Sequence, residues 1–130
     1  MSWEGVRSDL PERTFKFAVR ITKVCQCVEK QTGITRRLVG QLFDAGTSVG
    51  ANVEEAQGAQ SRPDFIHKDN VAMKEARETI YWLRLLIASE CVTEKRVTPI
   101  LGEAREIALI LGKIIVTAKK NLKDEASRKG

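Results

Sequence analysis

The chain has 130 residues and a formal charge of +5, from 22 Lys and Arg against 17 Asp and Glu, with 42% hydrophobic and 30% charged residues. That balance predicts one folded domain over residues 1–130, and only three prolines and nine glycines exclude a fibrous or long disordered chain. The longest uncharged run, residues 45–53, includes Thr47, Ser48 and Asn52 and falls far short of the ~20 apolar residues a spanning helix needs, so no membrane span is expected.

Hydrophobic spacing predicts four helices and no strand, an all-α chain. The first covers about 10–31, with Asp9 as N-cap, Pro11 in the first turn and an inner face of Ala18, Ile21, Cys25 and Val28. Gly33 marks the break. Thr35 is the predicted cap of a second helix over 36–57, whose stripe Leu38, Leu42, Ala45, Val49, Asn52, Ala56 keeps a 4-3-4-3-4 spacing up to Gly58. Ser61-Arg-Pro-Asp64 reads as a capping box opening a third helix over 62–89, with stripe Asp69, Met73, Ala76, Ile80, Leu83 and Ile87. Thr98-Pro99 opens the fourth, over 98–123, through Ile100, Ala104, Ile107, Leu111, Ile114 and Ala118 to a frayed tail. Short connections make consecutive helices antiparallel, hence an up-down-up-down bundle.

Two helices carry more apolar surface than one core requires. The third adds Ala72, Thr79, Trp82 and Leu86, and the fourth is apolar nearly all round from Ile107 to Val116. A helix apolar on two sides needs two partners, so self-association is expected. Charge is uneven: residues 1–50 carry 8 basic and 5 acidic side chains, 51–112 carry 8 and 10, and 113–130 carry 6 and 2. Basic ends favour an anionic partner such as nucleic acid. The N-terminal residues lack an apolar stretch and a cleavage site, which predicts a cytoplasmic protein, and Cys25, Cys27 and Cys91 are expected to be reduced thiols.

At the junction of helices two and three the sequence reads Gly46-Thr-Ser-Val-Gly-Ala-Asn-Val-Glu-Glu-Ala-Gln-Gly58, then Asp64-Phe-Ile-His67 and Lys74-Glu-Ala-Arg-Glu-Thr-Ile-Tyr-Trp-Leu-Arg-Leu85. Over about residues 14–122 this resembles the bacterial four-helix-bundle proteins encoded by intervening sequences inside large-subunit ribosomal RNA genes, and the related accessory variability determinant of diversity-generating retroelements. The resemblance implies a small, non-enzymatic, left-handed bundle that forms a homo-oligomer, commonly a pentamer with a central channel. It also implies a link to RNA or DNA, and in the retroelement relatives association with a reverse transcriptase.

Several residues invite a chemical reading. Asn52 falls on the core stripe with Ser48 and Glu55 beside it, and a buried amide must find partners, so these three are the expected structural polar core. Gly46 and Gly50 each cost about 1 kcal/mol inside a helix, and close approach of another backbone is the expected reason. His67 fits one arm, Asp64-x-x-His67, of the two a di-iron bundle requires. The spacing Arg62-x-x-x-x-His67 resembles the motif of HEPN ribonucleases, the enzymatic alternative. Cys25-x-Cys27 has no second pair to complete a zinc site, and no phosphate loop, nucleophile elbow or dinucleotide motif occurs, so no metal, cofactor or catalytic residue is expected.

The cations are the informative surface. Arg13, Lys16, Arg20 and Lys23 follow at 3-4-3 spacing and share one face of helix one. Lys113, Lys119, Lys120 and Lys123 add a second cluster near the end of helix four. These eight are the expected nucleic-acid contacts of a non-catalytic, homo-oligomeric bundle. A pure protein-binding scaffold is the other alternative.

Overall fold

The computed structural model describes residues 3–28 and 32–129, with side chains from Asp9 onward. Four helices follow one another: α1 (Trp3–Val28), α2 (Ile34–Gln57), α3 (Arg62–Ala88) and α4 (Glu94–Lys129). No strand occurs among the described residues. Each helix packs on its neighbours in the chain and α4 closes the ring on α1 along a sparser seam. Contacts run in opposite directions along each pair: Thr14 lies at Gly50 and Cys25 at Val39, while Arg13 meets Glu103 and Cys27 meets Arg96. This is the expected up-down-up-down four-helix bundle.

The core is a continuous column of aliphatic side chains. Phe17, Ile21, Leu42, Val49, Leu83, Leu86, Ile107 and Leu111 are almost completely withdrawn from water. At one end Ile66, Ile115 and Ala118 form a smaller cluster closed by Phe65, Met73 and Leu122. The two α2 glycines set how closely α1 can lie. A Cβ on Gly46 would fall 2.7 Å from Cγ2 of Ile21, and one on Gly50 would fall 3.2 Å from the backbone oxygen of Thr14. The Thr14 hydroxyl is buried there and donates to the Leu10 and Pro11 carbonyls of its own helix.

The ends of α2 and α3 follow local chemistry. Gly58 closes α2, and the Ser61 hydroxyl accepts from the Asp64 backbone N–H at 3.2 Å with Pro63 in the first turn. Gly33, with φ 66°, precedes α2, so Thr35 lies inside the helix rather than capping it. A Schellman arrangement ends α3, with Cys91 N–H bonded to Leu86 O and Glu90 N–H to Ile87 O; Glu90 takes the left-handed conformation, φ 59°, that glycine usually supplies.

The prolines are the main departure. Pro11 lies more than two turns inside α1 and Pro99 inside the second turn of α4, so neither marks a start. Asp9 is therefore not an N-cap. Burial of Leu10 just before Pro11, and of Val97 two residues before Pro99, offsets the hydrogen bond that each proline removes from its helix. The expected end of helix one at 31 lies outside the described residues, and α4 runs on to Lys129 in place of a frayed tail after 123.

Candidate nucleic-acid interface

On α1 the four expected contacts divide. Arg13 is not free: its Nε donates to Oε2 of Glu103 at 2.8 Å and its Nη2 to Oε1 at 2.7 Å, a bidentate clamp between α1 and α4. That bond raises the Arg13 pKa against the desolvation that lowers it, and holds the Glu103 carboxyl below the usual range. Spacing cannot reveal this partner, 90 residues away in the chain. Lys16 is exposed and only loosely paired with Glu12 at 3.8 Å. Arg20 and Lys23 are exposed and form no ion pair among the described residues. The ridge is three cations long.

Lys113, Lys119, Lys120 and Lys123 are all exposed along α4, again without an ion pair among the described residues. Because α4 continues to Lys129, this cluster lies along the helix, and Arg128 and Lys129 occupy the last turn where the dipole favours cations. The middle of the chain supplies the opposite sign. Glu75 has its pKa raised by burial first, then by a hydrogen bond and repulsion with Glu78, with Lys74 opposing and Asp44 adding to the shift.

The expected polar core does not form. Asn52 is half-buried and donates to Ser48 O at 2.8 Å within its own helix, and the Ser48 hydroxyl donates to Asp44 O. Glu55 is exposed and pairs with Lys68 of α3 at 3.1 Å. The inward position belongs to Val53, which is buried, as is Gly46 a heptad before it. The surplus stripe on α3 is likewise reassigned: Ala72, Thr79 and Leu86 are fully buried in the bundle itself, and only Trp82, stacked edge-on to Tyr81 at 5.0 Å, stays half-exposed.

Arg62 and His67 both belong to α3 but have different surroundings. The Arg62 guanidinium is bonded to Glu125 of α4 at 2.8 Å, whereas His67 is exposed. Cys25 is a buried thiol whose pKa is pushed up to about 11 by desolvation, and it donates to Val39 O at 3.8 Å. Cys27 and Cys91 are also free thiols, and no cluster of His, Cys, Asp and Glu suited to a metal occurs among the described residues. No helix among them is long and apolar enough to cross a membrane.

The structure exposes a pair of cations that sequence spacing did not single out, and it locates the surplus apolar surface expected on helix four. Arg36 and Arg37 are exposed in the first turn of α2, on a helix end that has no acidic residue in that turn. On α4 the outward line Gly102, Leu109, Val116 is open: Leu109 is 62% and Val116 68% exposed, and a Cβ on Gly102 would meet nothing within 4 Å. Their sevenfold spacing was the available signal.

The sequence profile of the 23S rRNA-intervening sequence protein family matches residues 8–113 of the chain. A crystal structure of a protein of unknown function from the S23 ribosomal protein family of Bacteroides thetaiotaomicron superposes with a TM-score of 0.76 at 40% identity, covering 82% of this chain and 97% of that one. No curated protein matches.

Proposed function

Because the chain belongs to the 23S rRNA-intervening sequence protein family, we propose that it is a non-enzymatic, homo-oligomeric bundle that associates with RNA through its exposed cations. The observation that carries this reading is two groups of exposed cations that close ion pairs do not consume among the described residues: Arg20 and Lys23, with Lys16 only loosely paired, on α1, and Lys113, Lys119, Lys120 and Lys123 on α4. Such a surface neutralises phosphates without reading bases. The open line Gly102, Leu109, Val116 supports self-association, and a ring of copies, five by the family resemblance, repeats each basic strip and raises its affinity for a polyanion. A reverse transcriptase or other nucleic-acid-handling protein is the protein partner implied by the likeness to the retroelement determinant.

Two measurements test the reading. Anisotropy titration with a labelled RNA duplex at two salt concentrations should show affinity falling steeply with salt, and Lys119→Glu with Lys123→Glu should flatten the slope. Native mass spectrometry should show an oligomer that Leu109→Glu with Val116→Glu converts to the 14.5 kDa monomer. A protein that binds no RNA at low salt, or that is monomeric at micromolar concentration, overturns the corresponding half.

A further inference from the structure

Along the α1–α2 seam lies an open groove of about 640 Å³ lined by Thr22, Gln26, Arg36, Val39, Gly40 and Phe43. Among the described residues no carboxylate lines it. Phe43 is 42% exposed there, and on α1 Phe15, Val19, Thr22 and Gln26 follow at 4-3-4 spacing along one face, with Phe15 61% exposed. Phe15 stands seven residues, ~10 Å, along α1 from Thr22.

Gly40 is the informative residue. It sits inside α2 with an ordinary helical backbone, where glycine costs about 1 kcal/mol relative to alanine. Gly46 and Gly50 are explained by α1, but a Cβ on Gly40 would meet nothing within 4 Å. Nothing among the described residues packs against this glycine, and the bare backbone leaves the groove floor open to a molecule that lies on it from outside. Arg36 and Arg37 stand in the first turn of α2, where the helix dipole is positive and disfavours cations, and an anion held beside them relieves that cost.

An aromatic face, a bare backbone floor, a guanidinium and the polar side chains of Thr22 and Gln26 make up the set that holds an unpaired nucleotide: the ring stacks on the base, the cation takes the phosphate, the amide and hydroxyl meet base edges. The Thr22 hydroxyl already donates to Ala18 O at 2.8 Å, so it offers a base an acceptor. The aliphatic Leu109–Val116 line has no ring with which to stack and suits a second copy of the chain instead. We propose that the α1–α2 groove binds unpaired nucleotides of RNA, with Phe43 as the stacking platform, Arg36 as the phosphate contact and Phe15 as a second platform. The inference rests on the RNA-binding reading and adds to it a site and a preference for single strands.

The test compares a labelled oligouridine with a blunt RNA duplex on the full chain. Phe43→Leu keeps apolar bulk but removes the π face, and Gly40→Leu fills the groove while favouring the helix. Each is expected to weaken oligouridine binding about tenfold and to change duplex binding by less than about twofold, with the oligomer intact. Gly40→Leu should also raise the melting temperature, which separates lost binding from lost folding. Oligouridine binding unchanged in both variants, oligouridine not bound although the duplex is, or an oligomer disrupted by both variants each overturns the groove assignment alone; the last result makes this face a contact between copies. Failure of the unaltered protein to bind either RNA overturns the RNA reading as well.

Discussion

Arg13 of α1 grips both carboxylate oxygens of Glu103 of α4, at 2.8 and 2.7 Å, across the sparsest helix seam of the bundle. Both groups are partly exposed, so screening limits the pair to roughly 0.5–1 kcal/mol. The Glu103 pKa is lowered by this bond, so the contribution is present above the ordinary glutamate pKa and fades as pH falls through the depressed one. Denaturant unfolding of Arg13→Gln, Glu103→Gln and the double variant should give a positive coupling at pH 7 that disappears in acid. No coupling at pH 7 would remove Arg13 from its role as a clamp and return it to the ridge.

The glycines make predictions of opposite sign. Gly46→Ala places a methyl within 3 Å of the fully buried Ile21 and should destabilise by roughly 1–3 kcal/mol, against the helix-propensity gain. Gly40→Ala meets nothing and should stabilise by about 0.5–1 kcal/mol. Glu90→Gly, which relieves a left-handed residue at the end of α3, should also stabilise. Melting temperatures of the three variants check this, and equal shifts for Gly46 and Gly40 would contradict the packing difference.

How much of this was legible depended on whether the signal was local. Ser61-x-x-Asp64 and Gly58 carry their own hydrogen-bonding logic, and both predicted boundaries hold. Pro11 and Pro99 misled because a proline suits a first turn, while the burial of Leu10 and Val97 that overrides it is tertiary. Asn52 misled for a related reason: its heptad place beside Val53 is correct to within one residue, and one residue on a helix is 100°. Arg13 was legible as a cation on a face but not as the partner of Glu103. Apolar composition announced the surplus surface, yet only three-dimensional packing separates the inward Ala72, Thr79 and Leu86 from the outward Leu109 and Val116.

Glu75 gives a second pH dependence with the opposite sign. Burial and the neighbouring Glu78 raise its pKa, so the fold prefers the protonated acid, and the associated stability is present in acid and lost as pH rises through the raised value. Glu75→Gln imitates the protonated form. It should raise stability at pH 7 by less than about 1 kcal/mol, since the site is only partly buried, and the gain should vanish near pH 4. A gain independent of pH would point to packing instead of charge.

The α1 ridge, reduced to Lys16, Arg20 and Lys23 by the capture of Arg13, gives the sharpest functional expectation. If these side chains neutralise phosphates, each contact to a duplex contributes about 0.9 to the slope of log affinity against log salt, and an oligomer repeats the contribution in every copy that reaches the same RNA. Lys16→Glu with Arg20→Glu should therefore weaken duplex RNA binding by an order of magnitude or more and flatten the slope, with the helical fold retained because both residues are exposed and the oligomer retained because they lie on α1, off the Leu109–Val116 line of α4. Lys74→Glu with Lys95→Glu makes the same change in charge; Lys74 borders Glu75, where the field is already negative, and this pair should do much less. Arg13→Gln should lower the melting temperature yet leave RNA affinity nearly unchanged, because the guanidinium is committed to Glu103. Anisotropy at two salt concentrations with all three variants separates the cases: equal losses from both reversals would mean that net charge alone attracts RNA, and a large loss from Arg13→Gln would mean that the clamp opens to bind it.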